Sequence, residues 1–111
     1  MESILQGTKE CYLCRLRMNE KEDFRRLPDT GLEEHHIMHG VANRKQSEKY
    51  GLKVWLCYED HRTGKQAVHR CRETDLKLIC IAQKKFEELY SHDKWMEVFM
   101  KNLSLIHISE P

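Results

Sequence analysis

Apolar and polar positions along the chain follow two different periods. From Leu52 to Cys57, Leu52, Val54 and Leu56 alternate with Lys53, Trp55 and Cys57, the period-two pattern of a half-buried strand. Upstream, LEEHHIMHG is a short extended run closed by Gly40, and VANRKQSEKYG between the two runs reads as a loop. Two strands so joined predict a hairpin with His35 and His36 on its first strand and Cys57 at the end of its second. Beyond Thr74 the period lengthens. Leu76, Ile79, Ala82 or Gln83, Phe86 and Leu89 or Tyr90 recur at three- and four-residue spacing, which predicts a helix. Thr74 serves as its N-cap, and Asp75 sits in the first turn, where the helix dipole favours an acid. Ser91 and Asp93 reset the pattern, and Trp95, Val98 and Phe99 predict a second, shorter helix over about 92–101. Both stripes read as core. The expectation is an α+β fold, a small hairpin plus helix followed by a C-terminal helix.

Ahead of the hairpin, residues 17–31 are polar and end in the turn signal Pro28-Asp29-Thr30-Gly31. With 111 residues, 40% of them hydrophobic and 33% charged, the chain lies in the globular range and reads as one domain over residues 1–102. A core of this size is modest, so a metal staple would help it considerably. No apolar run approaches the roughly 18 residues of a membrane span, and the opening MESILQGTKE lacks a basic segment followed by an apolar one. A cytoplasmic location without a membrane partner is the expectation. The last nine residues, LSLIHISEP, break the helical pattern and resemble one reading frame of a sequencing-library adapter. They are read as a non-native tail (103–111), and His107 is given no role.

Five cysteines, an odd number containing one Cys-x-x-Cys pair, fit a metal site in a reducing compartment better than a disulfide framework. Cys11 and Cys14 have the spacing with which two thiolates reach one zinc ion from a single turn, so residues 9–16 read as a zinc knuckle. The second half-site falls in Leu56-Cys57-Tyr58-Glu59-Asp60-His61: Cys57 is the third ligand, and the fourth is Asp60, or His61 if Asp60 stays free. Cys80 reads as a small core residue, and Cys71 has no partner at metal spacing. Histidines concentrate in the same region, with His35, His36, His39, His61 and His69 lying within one stretch of 35 residues. Phosphodiester hydrolysis needs a base for water, a cation on the phosphate and positive groups along the strand. His36 can be the base, and His35, His61 and His69 can hold the cation. Adjacent histidines on a strand point to opposite faces, but on a distorted strand end one ring can bind a metal while its neighbour faces the substrate. Net charge is only +1, but Arg44, Lys45, Lys49 and Lys53, then Arg62, Lys65, Arg70 and Arg72, fall between and around the histidines. Arg44, Lys45 and Lys49 are the candidate nucleic-acid contacts.

CYLC, then LEEHHIMHG, then VWLCYEDH followed by a helix is similar to the HNH endonuclease pattern, the ββα-metal class. More narrowly, HHIMHGVANRKQSEKYGLKVWLC with a following Val-His and helix resembles small HNH-like proteins of phages and prophages of Gram-positive bacteria, over about residues 9–100. The resemblance implies His36 as general base and His35 and His61 as ligands of the catalytic metal, with His69 as an additional one. It implies Cys11, Cys14 and Cys57 as structural zinc ligands, and a divalent cation such as Mg2+, Mn2+, Ni2+ or Zn2+ for cleavage of DNA inside a bacterial host cell. Two positions depart from the pattern. Leu52 stands where the family's middle Asn is expected, with Asn43 as the possible substitute, and Asp60 stands in the place of a Cys or His, a harder ligand that holds zinc less tightly. The expected function is a metal-dependent DNA endonuclease or nickase. Its rival is a catalytically inactive zinc module that binds DNA or protein on the same scaffold. A thiol-disulfide oxidoreductase built on Cys11 and Cys14 fits poorly, because no βαβ pattern surrounds the pair.

Overall fold

The computed structural model describes residues 2–99; the tail with His107, and the last residues of the expected 92–101 helix, lie outside them. Cys11, in extended conformation, accepts the Cys14 N–H on its sulfur at 3.5 Å and so caps helix α1 (Tyr12–Glu20). The expected knuckle therefore opens directly into a helix instead of standing as an isolated turn. Only Leu13 of α1 is buried, in keeping with its polar sequence.

Strands β1 (Leu32–His36) and β2 (Lys53–Cys57) pair antiparallel, with Leu32 opposite Cys57, His35 opposite Val54 and His36 opposite Lys53. The expected hairpin is present, but its connection is a helix, α2 (Val41–Tyr50). Ala, Arg, Lys, Gln and Glu favour a helix there, whereas the buried positions are Asn43, Ser47 and Tyr50, so the segment carries no aliphatic stripe. Ser47, fully buried, donates from Oγ to the Met38 carbonyl at 2.9 Å and accepts the Met38 N–H at 3.0 Å, locking α2 to the end of β1. Gly51 ends α2 in the left-handed region (φ +71), and a Cβ there would collide with the Glu2 carbonyl oxygen. Its own carbonyl accepts from the Ile4 N–H at 2.9 Å, and Gln6 Oε1 accepts the Trp55 N–H at 2.9 Å, so the N-terminal segment covers the outer edge of β2.

After β2 the chain makes one wide π-helical turn (Glu59–Thr63), closed by the Gly64 N–H on the Glu59 carbonyl at 2.8 Å. The Val68 and His69 N–H groups then donate to the Asp60 and His61 carbonyls, which folds His69 back beside His61. Helix α3 (Arg72–Leu89) starts from Cys71, not Thr74: the Asp75 N–H already bonds the Cys71 carbonyl at 3.1 Å. Its buried stripe is Leu78, Ala82 and Phe86: the expected Ala82 and Phe86 are core, Leu76 and Ile79 are half-buried, Leu78 was not expected, Leu89 and Tyr90 are exposed, and so is Cys80, which is no core residue. Helix α4 (92–99) follows, with Ser91 Oγ accepting the Lys94 N–H at 2.9 Å as its cap. Trp95 and Phe99 are fully buried against Phe86, and Tyr50 packs edge-on to Phe86 at 5.3 Å between ring centroids. These rings continue into Val54, Leu56, Ile37 and Leu52 to form one hydrophobic cluster under the inner face of the sheet. Among the described residues, no helix is long and apolar enough to cross a membrane.

Candidate metal centres and the histidine cleft

Alternation on β1 sends His35 inward with Glu33 and leaves His36 on the other face at the strand's last position. The π turn places Asp60 and His61 side by side in sequence, yet their side chains join different clusters.

Cys11, Cys14, Cys57 and Asp60 form the first cluster, with one ligand atom from each lying within 4.8 Å of all the others. Asp60 Oδ2 is 3.0 Å from Cys11 Sγ, 3.2 Å from Cys14 Sγ and 3.4 Å from Cys57 Sγ, while the sulfurs of Cys14 and Cys57 are 4.0 Å apart. A tetrahedron with about 2.3 Å zinc–sulfur and 2.0 Å zinc–oxygen bonds has edges of about 3.8 Å and 3.5 Å. The four atoms therefore fit a zinc ion with little movement. Asp60, rather than His61, is the fourth member. Burial raises the Cys11 thiol far above its ordinary range and the Cys14 thiol to about 11, and the hydrogen bond to the Asp60 carboxylate adds to both. Burial also acts to raise Asp60, but bonds from Arg17, Cys11 and Cys14 outweigh it and hold the carboxyl below its usual value. Arg17 donates to Asp60 Oδ2 at 2.8 Å and Oδ1 at 3.0 Å and approaches Cys14 Sγ at 3.3 Å. Three thiolates and a carboxylate exceed the charge of a divalent ion by two, and the guanidinium offsets part of that excess.

His35, His61 and His69 form the second cluster. His61 Nε2 and His69 Nε2 are 2.9 Å apart, and the His35 ring centroid lies 5.2 Å and 5.3 Å from theirs. Glu33 Oε1 accepts from His61 Nδ1 at 2.6 Å, which directs the Nε2 lone pair toward the centre of the cluster. His35 is 3% exposed, and its Nε2 is buried without a hydrogen-bond partner. A buried imidazole nitrogen in that state is costly unless something electrophilic meets it. Burial, then the neighbouring His61 and His69, push the His35 pKa down to about 3, and burial lowers His69 as well. These rings are therefore neutral, the form that binds a metal. The three imidazoles fit a divalent cation as an open site.

This cluster opens into a cleft also lined by Glu34, His36, His39, Arg44 and Arg62. His36 Nε2 is 3.0 Å from Glu48 Oε1 on α2. His39 leans on Asp75 at the start of α3, with Nε2 2.8 Å from Oδ1, and that hydrogen bond raises its pKa. Arg44 reaches the cleft, whereas Lys45 and Lys49, also on α2, are not among its lining residues. Leu52, at the position of the expected Asn, is fully buried core; Asn43 is buried in the first turn of α2. Sequence reasoning missed Arg17, Glu33, Glu48 and Asp75, each of which contacts an expected site residue. The Glu-x-His alternation of Glu33 and His35 on one strand face was the single available signal. No protein-family model matches the sequence, and neither a curated protein nor a solved structure matches it.

Proposed function

We propose that the chain is a metal-dependent DNA endonuclease or nickase of the HNH type. One observation carries the reading: three imidazoles, one with an orphaned buried nitrogen, converge in a cleft that also holds His36, Arg44 and Arg62. His35, His61 and His69 hold the divalent cation. When bound, that ion supplies positive charge to a phosphate oxygen and to the leaving group. His36 takes a proton from the attacking water, and Arg44 and Arg62 neutralise the flanking backbone. The Cys11, Cys14, Cys57 and Asp60 cluster binds structural zinc and fixes the π turn from which His61 projects.

A second reading, a zinc module without catalysis, is favoured by Leu52, which puts an aliphatic side chain where the family has an Asn behind the base. Supercoiled plasmid incubated with the zinc-loaded chain and Mg2+, Mn2+ or Ni2+, beside His36→Ala, separates the two. Open-circular product from the wild type, reduced about 100-fold or more in His36→Ala, is the expected result. No product with any of these metals, together with retardation of a DNA fragment in a gel, would instead favour the silent module.

A further inference from the structure

We infer that Glu48 is the positioning residue of the His36 base, taking over from α2 the role that the buried Leu52 cannot perform. The inference rests on the nuclease reading above. An imidazole acts as a base through one nitrogen only, and a partner on the other nitrogen decides which one. His36 Nε2 lies 3.0 Å from Glu48 Oε1, against 3.9 Å from Glu34, so Glu48 accepts the Nε2–H and the lone pair resides on Nδ1. Glu48 is itself anchored. Its second oxygen accepts from Lys53 Nζ at 2.8 Å, and Lys53 stands opposite His36 in the β1–β2 register. Lys53 first, then His36, lower the Glu48 carboxyl to about 2, so the acceptor is a full anion.

Glu34, His36 and Glu48 also have the spacing of a cation site. The ammonium of Lys53, 2.8 Å from Glu48 and 3.4 Å from Glu34, already supplies the cation there. The cluster is therefore a relay of fixed charges with His36 at its end. In the reaction, Nδ1 takes a proton from water as the water oxygen bonds to phosphorus. The bond from phosphorus to the leaving oxygen breaks, that oxygen is protonated from solvent, and the imidazolium, held against Glu48, returns its proton to solvent.

Two measurements on the full chain test this. Nitrogen-15 NMR of the zinc-loaded protein reads the His36 tautomer without any need for activity. The wild type is expected as the Nε2–H form, and Glu48→Gln, whose amide both donates and accepts, as a mixture with the Nδ1–H form. Plasmid nicking by the same variant is expected to lose at least about tenfold in kcat with KM unchanged and with the melting temperature within a few degrees of wild type. A wild-type Nδ1–H tautomer, or full kcat in Glu48→Gln, overturns the role of Glu48 and leaves the nuclease reading standing. A wild type that nicks nothing while keeping the Nε2–H form removes the nuclease reading and leaves the Glu48–His36 geometry intact.

Discussion

A carboxylate binds zinc less tightly than a thiolate does, and Arg17 bears on how well Asp60 would serve as a ligand. Its guanidinium keeps Oδ2 aimed at the three sulfurs and offsets the surplus negative charge. Arg17→Ala is expected to weaken zinc binding about 10- to 100-fold, read by competition with a chromophoric chelator. Asp60→Cys is expected to move it the other way. For His35 the sign of the pH effect follows from its folded-state pKa of about 3, below the ordinary value of 6.5. Between those values the unfolded chain takes up a proton that the folded chain refuses, so stability is retained above pH 6.5 and falls as the pH drops toward 3. Urea denaturation of the metal-free protein should show this loss between pH 6.5 and 4, and His35→Gln should flatten it. The gathering of Cys11, Cys14 and Cys57 with Asp60, and of His35 and His61 with His69, was legible because metal-ligand chemistry leaves marks in spacing and residue type. Arg17, Glu33 and Glu48 were not. Their contacts with Asp60, His61 and His36 span 43, 28 and 12 residues, and an Arg or Glu on a polar segment looks the same whether or not it has a partner.

Helix α2 shows why a whole element can be invisible to hydrophobic periodicity. Asn43 and Ser47 occupy core-facing positions, and Ser47 works through two backbone hydrogen bonds rather than through apolar area. Ser47→Ala leaves Met38 N–H and C=O buried and unpaired, and it is expected to lower stability by about 1–3 kcal/mol in thermal denaturation. The sequence reads Gly51 only as the end of a loop, although a glycine after a polar helical run is a usual C-terminal residue. The close approach of the Glu2 carbonyl was not legible, because it belongs to a distant segment. Gly51→Ala combines the left-handed backbone with that collision and should cost at least about 2 kcal/mol, or several degrees in melting temperature. In α3 the expected stripe was right at Ala82 and Phe86, missed Leu78, and failed at Leu89 and Tyr90, which are exposed. Leu78, Ala82 and Phe86 face inward because α4 lays Trp95 and Phe99 over Phe86, a tertiary choice that the helix's own sequence leaves open.

For the molecule as a whole, the α+β class, the pairing of the two strands and the division of candidate ligands between a cysteine cluster with Asp60 and a histidine cluster could be read from the chain. Asp60 and His61 are neighbours in sequence, and the sequence leaves His61 open only as the alternative to Asp60 in the cysteine cluster. The wide π turn settles it by directing successive side chains to different sides. Zinc removal by a strong chelator is expected to lower the melting temperature by more than any single surface change, with elemental analysis of the intact protein giving one zinc per chain held by the sulfur-containing centre. The same turn has a thermodynamic corollary. Because one peptide bond joins Asp60 of the first cluster to His61 of the second, an ion in either cluster would act on the binding free energy of an ion in the other, and linkage would make that effect reciprocal. Titrating the histidine centre with Ni2+ in zinc-loaded and in Asp60→Ala protein should give two dissociation constants, and their ratio measures how far a five-residue turn carries news of occupancy from one side of the domain to the other.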